Sequence, residues 1–387
     1  MKTFDIYSSL RGKKQSYSDS DLSEASFLAI TFWIKSLYNN SVLFITILLS
    51  FCLSVFTSCD RPPELKPITV IPDSTQGGIF IVNEGLFMQG NGELSFINLG
   101  LNQLYNNVFF QANNKNLGDV FQSINIINGN AYLVVNNSSK IEIINPFTFK
   151  SLGTIVGLKS PRYIVKMSAN KAYVSDLYDN HLSIIDLSTN SIIGKIPFKG
   201  WSEEMLSLNG KMYVTNIRSK FIGIIDENTN LLIDSIETPF APKNIVKDSA
   251  NNIWVLCGDA NAFDKRHFLI KINVNQKSVE KKLEIKVPNS SANRLKINKE
   301  GNTLFWIDES VFKMNIYETI LPASPLINND KKLFYGLGID PFKNEIYVSD
   351  VKDFNSISDV YRYNFNGQLL GKFSAGKITS DFYFFNP

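Results

Sequence analysis

The sequence predicts an all-β fold, a seven-bladed β-propeller, from three observations. First, one strand motif recurs along the chain: IFIVN at Ile79–Asn83, AYLVV at Ala131–Val135, AYVSD at Ala172–Asp176, MYVTN at Met212–Asn216, IWVLC at Ile253–Cys257, LFWID at Leu304–Asp308 and IYVSD at Ile346–Asp350. Second, its aromatic marker (Phe80, Tyr132, Tyr173, Tyr213, Trp254, Phe305, Tyr347) advances by 52, 41, 40, 41, 51 and 42 residues. Several short strands in a period of about 40–50 residues are the mark of a propeller. Third, Asp381–Asn386 (DFYFFN) has strand composition with no strand after it. It is expected to be the innermost strand of the first blade, closing the ring and removing a free edge.

The elements follow in order. Ser41–Phe56 is an uncharged apolar run; Lys35 precedes it and Thr57-Ser58-Cys59 follow. This is the layout of a secretory signal, and the FTSC ending places a lipidated Cys59 at the start of the mature chain. An uncleaved anchor over Phe27–Phe56 is the plainer alternative, although Asn39-Asn40 interrupt it. Residues 1–26 are polar and unlike an n-region, so they are either a real extension or follow from a start placed too far upstream. The expected divisions are 1–58 for extension and signal, 59–77 for lipidated Cys and tether, and 78–387 for the propeller. Four Pro between Asp60 and Gly77 make the tether stiff and extended.

Within the body, Ala131–Asn145, Ala172–Asp186 and Met212–Asp226 align without gaps. Asn128-Gly129 and Asn209-Gly210 supply hairpin turns. Seven blades are read at 78–120, 121–160, 161–200, 201–241, 242–290, 291–336 and 337–379, with six or eight as the alternative counts.

Composition narrows function. Net charge is +3 with Lys and Arg scattered among Asp and Glu, so no basic stripe points to nucleic acid. Of three Cys only Cys257 lies in the body, which excludes a disulfide framework there. Two His are too few for a His-rich metal centre. No GxSxG, HExxH, P-loop or GxGxxG is present. No catalytic residue, metal or cofactor is therefore expected, and the chain reads as a non-enzyme.

Candidate binding residues sit where loops enter the innermost strands. Aligned there are Gln122, Arg162, Glu203, Lys243 and Asn293, followed by Ser123, Tyr163, Glu204, Asn244 and Arg294, with Tyr178, Trp201, Phe240 and Tyr335 nearby. Aromatic area with a few orienting polar groups suits a ligand funnel. The expected ligand-binding set is Gln122, Arg162, Tyr163, Tyr178, Trp201, Glu203, Glu204, Asn216, Asn244 and Arg294. Asn and Asp ending the second strands (Asn83, Asp176, Asn216, Asp308, Asp350) are better explained as turn caps, with convergence of Asn83, Asp176, Asn216 and Asp350 on Ca²⁺ as the rival. Leu86–Met88 and the Gly258–His267 insertion are expected contact surfaces.

PRYIVKMSANKAYVSDLYDNHLSIIDL, GWSEEM and DSANNIWVLCGD resemble the YncE-like, DUF5074-type propeller lipoproteins of the Bacteroidetes. The resemblance covers about residues 78–387. It implies an outer-membrane lipoprotein that captures a small ligand, a corrinoid such as cobalamin being the best single guess, and passes it to a TonB-dependent transporter. The alternatives are an envelope protein-interaction scaffold and a Ca²⁺-dependent lactonase or lyase.

Overall fold

The computed structural model describes Ser74, Thr75 and residues 77–259, 261–263, 265–286 and 290–387. The signal, Cys59 and all but the last residues of the tether lie outside them. The chain divides into two units, Met1–Ile68 and Thr69–Pro387, and the second is the propeller.

Its strands form seven sheets, six of four strands and one of three. The seven innermost strands are Thr379–Phe385, Phe121–Ile127, Pro161–Lys166, Ser202–Leu208, Pro242–Lys247, Asn293–Ile297 and Phe334–Asp340, taken from blade 1 to blade 7. Each packs beside the next, and Phe334–Asp340 returns to Thr379–Phe385, so the ring is closed. The C-terminal strand pairs antiparallel with Gly78–Asn83, setting Phe80 opposite Tyr383. Blade 1 is thus made from both ends of the unit, and no strand outside Thr69–Pro387 is needed to complete a sheet.

The repeating aromatics hold the blades together. Phe80, Tyr132, Tyr173, Tyr213, Trp254, Phe305 and Tyr347 are all buried in the apolar layers between blades. Burial of such a side chain contributes about 2–3 kcal/mol. The Tyr hydroxyls keep partners: Tyr132 donates to Asn190 Oδ1 at 2.9 Å and Tyr173 to Asn230 Oδ1 at 2.7 Å. Both residues of Asn128-Gly129 and Asn209-Gly210 have positive φ, the tight hairpin geometry their sequence favours.

Two differences from the sequence reading stand out. The seventh blade begins at Phe334, three residues before the expected boundary. The sixth blade has only Asn293–Ile297, Thr303–Asp308 and Ser310–Asn315; residues 316–333 take the place of its outer strand and pair with the sheet through an isolated bridge, Val311 to Ile327. Pro322 and Pro325 in that segment cannot donate to a ladder, which disfavours a continuous strand.

Candidate functional site

Every blade carries the same irregularity at the start of its innermost strand. The register against the second strand slips there, leaving extra residues on the inner strand. The slipped positions are Ser380, Gln122, Arg162-Tyr163, Glu203-Glu204, Lys243, Arg294-Leu295 and Tyr335-Gly336. A β-bulge bends its strand and re-aims its side chains, and bulges gather at barrel rims and functional sites. Six of the ten expected binding residues therefore lie on bulges, Gln122, Arg162, Tyr163, Glu203, Glu204 and Arg294, and so do Lys243 and Tyr335 from the wider set named with them.

In three blades a hydroxyl on the second strand satisfies the loosened backbone. Ser175 Oγ accepts from Tyr163 N at 3.2 Å, Thr215 Oγ1 donates to Glu204 O at 3.0 Å and Ser349 Oγ accepts from Gly336 N at 2.8 Å. These are the Ser and Thr of AYVSD, MYVTN and IYVSD. That hydroxyl is the signal in the sequence that could have located the bulges.

The bulged side chains form a belt that links blade to blade. Arg162 donates to Gln122 Oε1 on one side and to Glu203 on the other, Nε to Oε2 at 2.8 Å and Nη2 to Oε1 at 2.5 Å. Burial alone would weaken the Arg162 charge, but the Glu203 carboxylate outweighs it and its pKa is raised. Glu204 accepts from Asn244 Nδ2 at 2.8 Å and Ile245 N at 3.0 Å. Burial pushes the Glu204 carboxyl up to about 7. Further round, the Arg294 guanidinium lies 4.9 Å from the centre of the Tyr335 ring and 3.6 Å from Glu84, to which the Tyr335 hydroxyl also donates. Burial, then Glu84, pushes that hydroxyl up to about 12.

Among the described residues no side-chain hydrogen bond joins the bulges of blades 5 and 6, a break in the belt that recurs between Ser380 and Gln122 of blades 1 and 2. A pocket of about 370 Å³ opens between blades 5 and 6, lined by Tyr163, Trp201, Lys243, Asn244, Asn293 and Arg294 among others, and reaching Arg162, Glu203, His267 and Tyr335. Six buried side-chain polar atoms lack a hydrogen-bond partner among the described residues, and three of them line this one pocket: Asn244 Oδ1, Asn293 Oδ1 and His267 Nε2. Their orientation is set from behind. Asn244 Nδ2 is held by Glu204, Asn293 Nδ2 donates to Ser291 O at 2.9 Å, and His267 Nδ1 donates to Lys265 O at 3.1 Å. A carbonyl only accepts, so the His267 proton sits on Nδ1 and Nε2 is a bare acceptor. Burial, then the Lys243 charge, holds His267 down at about 4, so the ring is neutral at pH 7. Gly258 makes room for it: a Cβ there would lie 2.5 Å from His267 Cδ2.

Aromatic rings form one wall. Trp201 carries the Arg218 guanidinium 4.3 Å from its ring centre, and Tyr178 packs edge-on against it at 5.2 Å. Of the expected set, Arg162, Tyr163, Trp201, Glu203, Asn244 and Arg294 line the pocket, while Gln122, Tyr178 and Glu204 brace residues that do. Asn216 does not line it. Its side chain accepts from Trp201 N at 3.1 Å and donates to Lys199 O at 2.9 Å, so it shapes the loop that presents Trp201. Phe240 lines a separate, larger cavity of about 740 Å³ with Phe263 and Phe268, away from the bulges. Arg218 is a site residue that the sequence reading missed; Asp259 and His267 lie in the Gly258–His267 insertion it marked as a contact surface without naming them as binding residues.

The strand-end groups Asp176 and Asp350 cap turns, while Asn83 is tied across its sheet. Asp176 accepts from Lys159 N, Ser160 N and Tyr178 N; Asp350 accepts from Leu333 N and Lys352 N; Asn83 is bonded to Ser95 and Thr379. Among the described residues, no group of three or more His, Cys, Asp or Glu is arranged to hold a metal.

A family model, described as a domain of unknown function (DUF5074), matches residues 77–386. The chain belongs to the DUF5074 family. No curated protein matches it. Solved structures share the fold of this DUF5074 propeller at low identity. The Pseudomonas aeruginosa periplasmic gluconolactonase PpgL is 8% identical with a TM-score of 0.63, over 80% of this chain and 99% of that one. A quinonprotein alcohol dehydrogenase-like protein from Bacteroides thetaiotaomicron is 17% identical with a TM-score of 0.61, over 81% and 79%. Hydrazine synthase of Kuenenia stuttgartiensis is 13% identical with a TM-score of 0.55, over 67% and 88%. At such identities the likeness concerns the fold alone.

Proposed function

We propose that this DUF5074 propeller is a non-enzymatic ligand-capture protein whose ligand enters the break in the belt between blades 5 and 6. The observation that carries the reading is the cluster of buried, unpartnered acceptors on Asn244, Asn293 and His267. A buried polar atom without a partner costs about 1–3 kcal/mol, and a ligand that supplies donors recovers it. The belt carboxylates are committed to partners, Glu203 to Arg162 and Glu204 to Asn244 and a backbone amide, which suits holding a ligand better than transforming one.

The ligand chemistry this favours is an apolar face for Trp201 and Tyr163 with several N–H or O–H donors at its edge. A corrinoid such as cobalamin has that form, a broad ring fringed with primary amides, and the sequence resemblance points the same way. A corrinoid is larger than the pocket, so one edge enters and the rest lies over the funnel. In this reading an N-terminal lipid on Cys59 holds the propeller at the outer membrane, where it passes the ligand to a TonB-dependent transporter. Calorimetric titration of residues 69–387 with cobalamin tests the capture step. Micromolar or tighter binding is expected; no heat at micromolar protein overturns the corrinoid reading.

A second reading is favoured by exposed apolar tips. Phe87 and Met88 are 67% and 75% exposed, and Phe263 in the fifth-blade insertion is fully exposed. Such tips suit a protein partner. Loss of a co-purifying envelope protein on deleting Leu86–Met88, with cobalamin binding absent, would favour a scaffold instead.

A further inference from the structure

We propose that the break in the belt contains a monoanion subsite, in which Lys243 takes a singly charged oxyanion of the ligand while His267 Nε2 and Asn244 Oδ1 accept from donors beside it. This rests on the ligand-capture reading and names the chemical group the pocket selects. The argument is a count of charges. Four cationic side chains line the pocket: Arg162, Arg218, Lys243 and Arg294. Three have a carboxylate of their own. Arg162 is bidentate with Glu203, Arg218 is 3.7 Å from Asp259 and Arg294 is 3.6 Å from Glu84. Lys243 makes no ion pair and no side-chain hydrogen bond among the described residues. Lys243, at the bulge of blade 5, is the one of the four without an ion pair.

An ammonium held away from water without an ion-pair partner is unfavourable, and the carboxylates that face it, Asp259 and Asp308, make no ion pair with it among the described residues. The orphan atoms around it are all acceptors, so they do not answer its charge in the way an oxyanion does. They also restrict the ligand. A bare anion would face three acceptor lone pairs, whereas an oxyanion flanked by N–H or O–H groups satisfies both sets. The class is therefore an oxyanion of one negative charge, a phosphate diester or a carboxylate, bordered by hydrogen-bond donors. Lys rather than Arg suits this place, because a point charge with three rotatable donors does not demand a planar bidentate partner.

Cobalamin carries one phosphodiester in a nucleotide loop with a ribose and a benzimidazole, and cobinamide is the same amide-fringed ring without that loop, so the Lys243 variants read against this pair isolate the charged group. Calorimetry compares both ligands on wild-type residues 69–387 and on Lys243→Met, with Lys243→Arg as the charge-keeping control and a thermal melt to confirm folding. Wild type is expected to prefer cobalamin by about 10- to 100-fold, the value of one charge-assisted hydrogen bond. K243M is expected to lose most of that preference, and K243R to keep most of it. Equal binding by wild type, or a preference that survives in K243M, overturns the subsite while leaving corrinoid capture standing. If neither ligand binds, the corrinoid reading fails and the subsite is judged on small anions. Stabilisation of wild type but not K243M by acetate or inorganic phosphate then supports it, and equal shifts overturn it.

Discussion

Blades 2 to 4 and blades 5 to 6 use the same bulge for opposite ends. In the first region the Gln122, Arg162 and Glu203 side chains answer one another from blade to blade: Gln122 accepts from Arg162, and Arg162 donates to Glu203. In the second, Lys243, Asn244 and Asn293 project into a gap that neither blade fills. The difference lies in reach and in charge. Arg162 is long enough to span two neighbours, and Glu203 has the complementary fork. Across the gap stand short amides whose donors are turned back onto Glu204 and Ser291, leaving only acceptors forward. A ring of equivalent positions can thus brace the channel along one arc and open a binding site along another, with no change of backbone plan.

The largest test of this contrast is to break the brace. Arg162→Ala leaves the buried Glu203 carboxylate without its partner, and urea unfolding should show a loss of about 3 kcal/mol, within the range for such uncompensated charges. A loss under about 0.5 kcal/mol, the scale of an ordinary surface change, would mean that the closed arc is not a brace.

The open arc should respond with the opposite sign. Burial holds the Lys243 ammonium down at about 8. Between pH 8 and its unfolded value the unfolded chain binds more protons there than the folded one, so stability rises with pH through that window, and below pH 8 the charge is a cost. Lys243→Met removes that cost and should raise stability by about 2 kcal/mol at pH 7. The gain should shrink as pH rises toward 10. A destabilised K243M at pH 7 would show that Lys243 is a structural group.

A smaller effect is the pH dependence of binding. Lys243 is faced by Asp259, Cys257, Asp308, Arg294 and His267. Above pH 8 it loses its proton, so wild-type affinity for cobalamin should fall by up to about tenfold per pH unit, until the bound complex deprotonates in turn. K243M should show no such fall in calorimetry at pH 7, 8 and 9. The smallest effect is at the rim. Tyr178→Ala removes the edge-on support of Trp201 and should weaken binding by about 0.5–1 kcal/mol with stability unchanged. A larger loss would place Tyr178 against the ligand.

The sequence made the ring legible because its packing is periodic. Each marker aromatic, from Phe80 to Tyr347, is buried at an equivalent place, and DFYFFN had no partner except the first blade. Polarity at the strand entries also pointed to Arg162, Glu203 and Asn244. What it could not reveal was which of these face a neighbour and which face a gap, because that depends on distances between strands about 40 residues apart. His267 shows the limit. In sequence it ends a polar insertion, yet it opens a strand, is wholly buried and turns its bare nitrogen toward the pocket. Asn216 shows the converse, a strand-end amide taken for a binding group that is used up holding the Trp201 loop.

The central claim is that a ligand fills the break in the belt, and the two His residues of the chain give a direct way to see it. With ring-¹⁵N histidine in residues 69–387, the nitrogen spectrum contains only His181 and His267, and His181→Phe assigns them. On adding saturating cobalamin, the His267 Nε2 signal should move from a bare acceptor to a hydrogen-bonded one while His181 stays in place. An unmoved His267 signal would contradict the account.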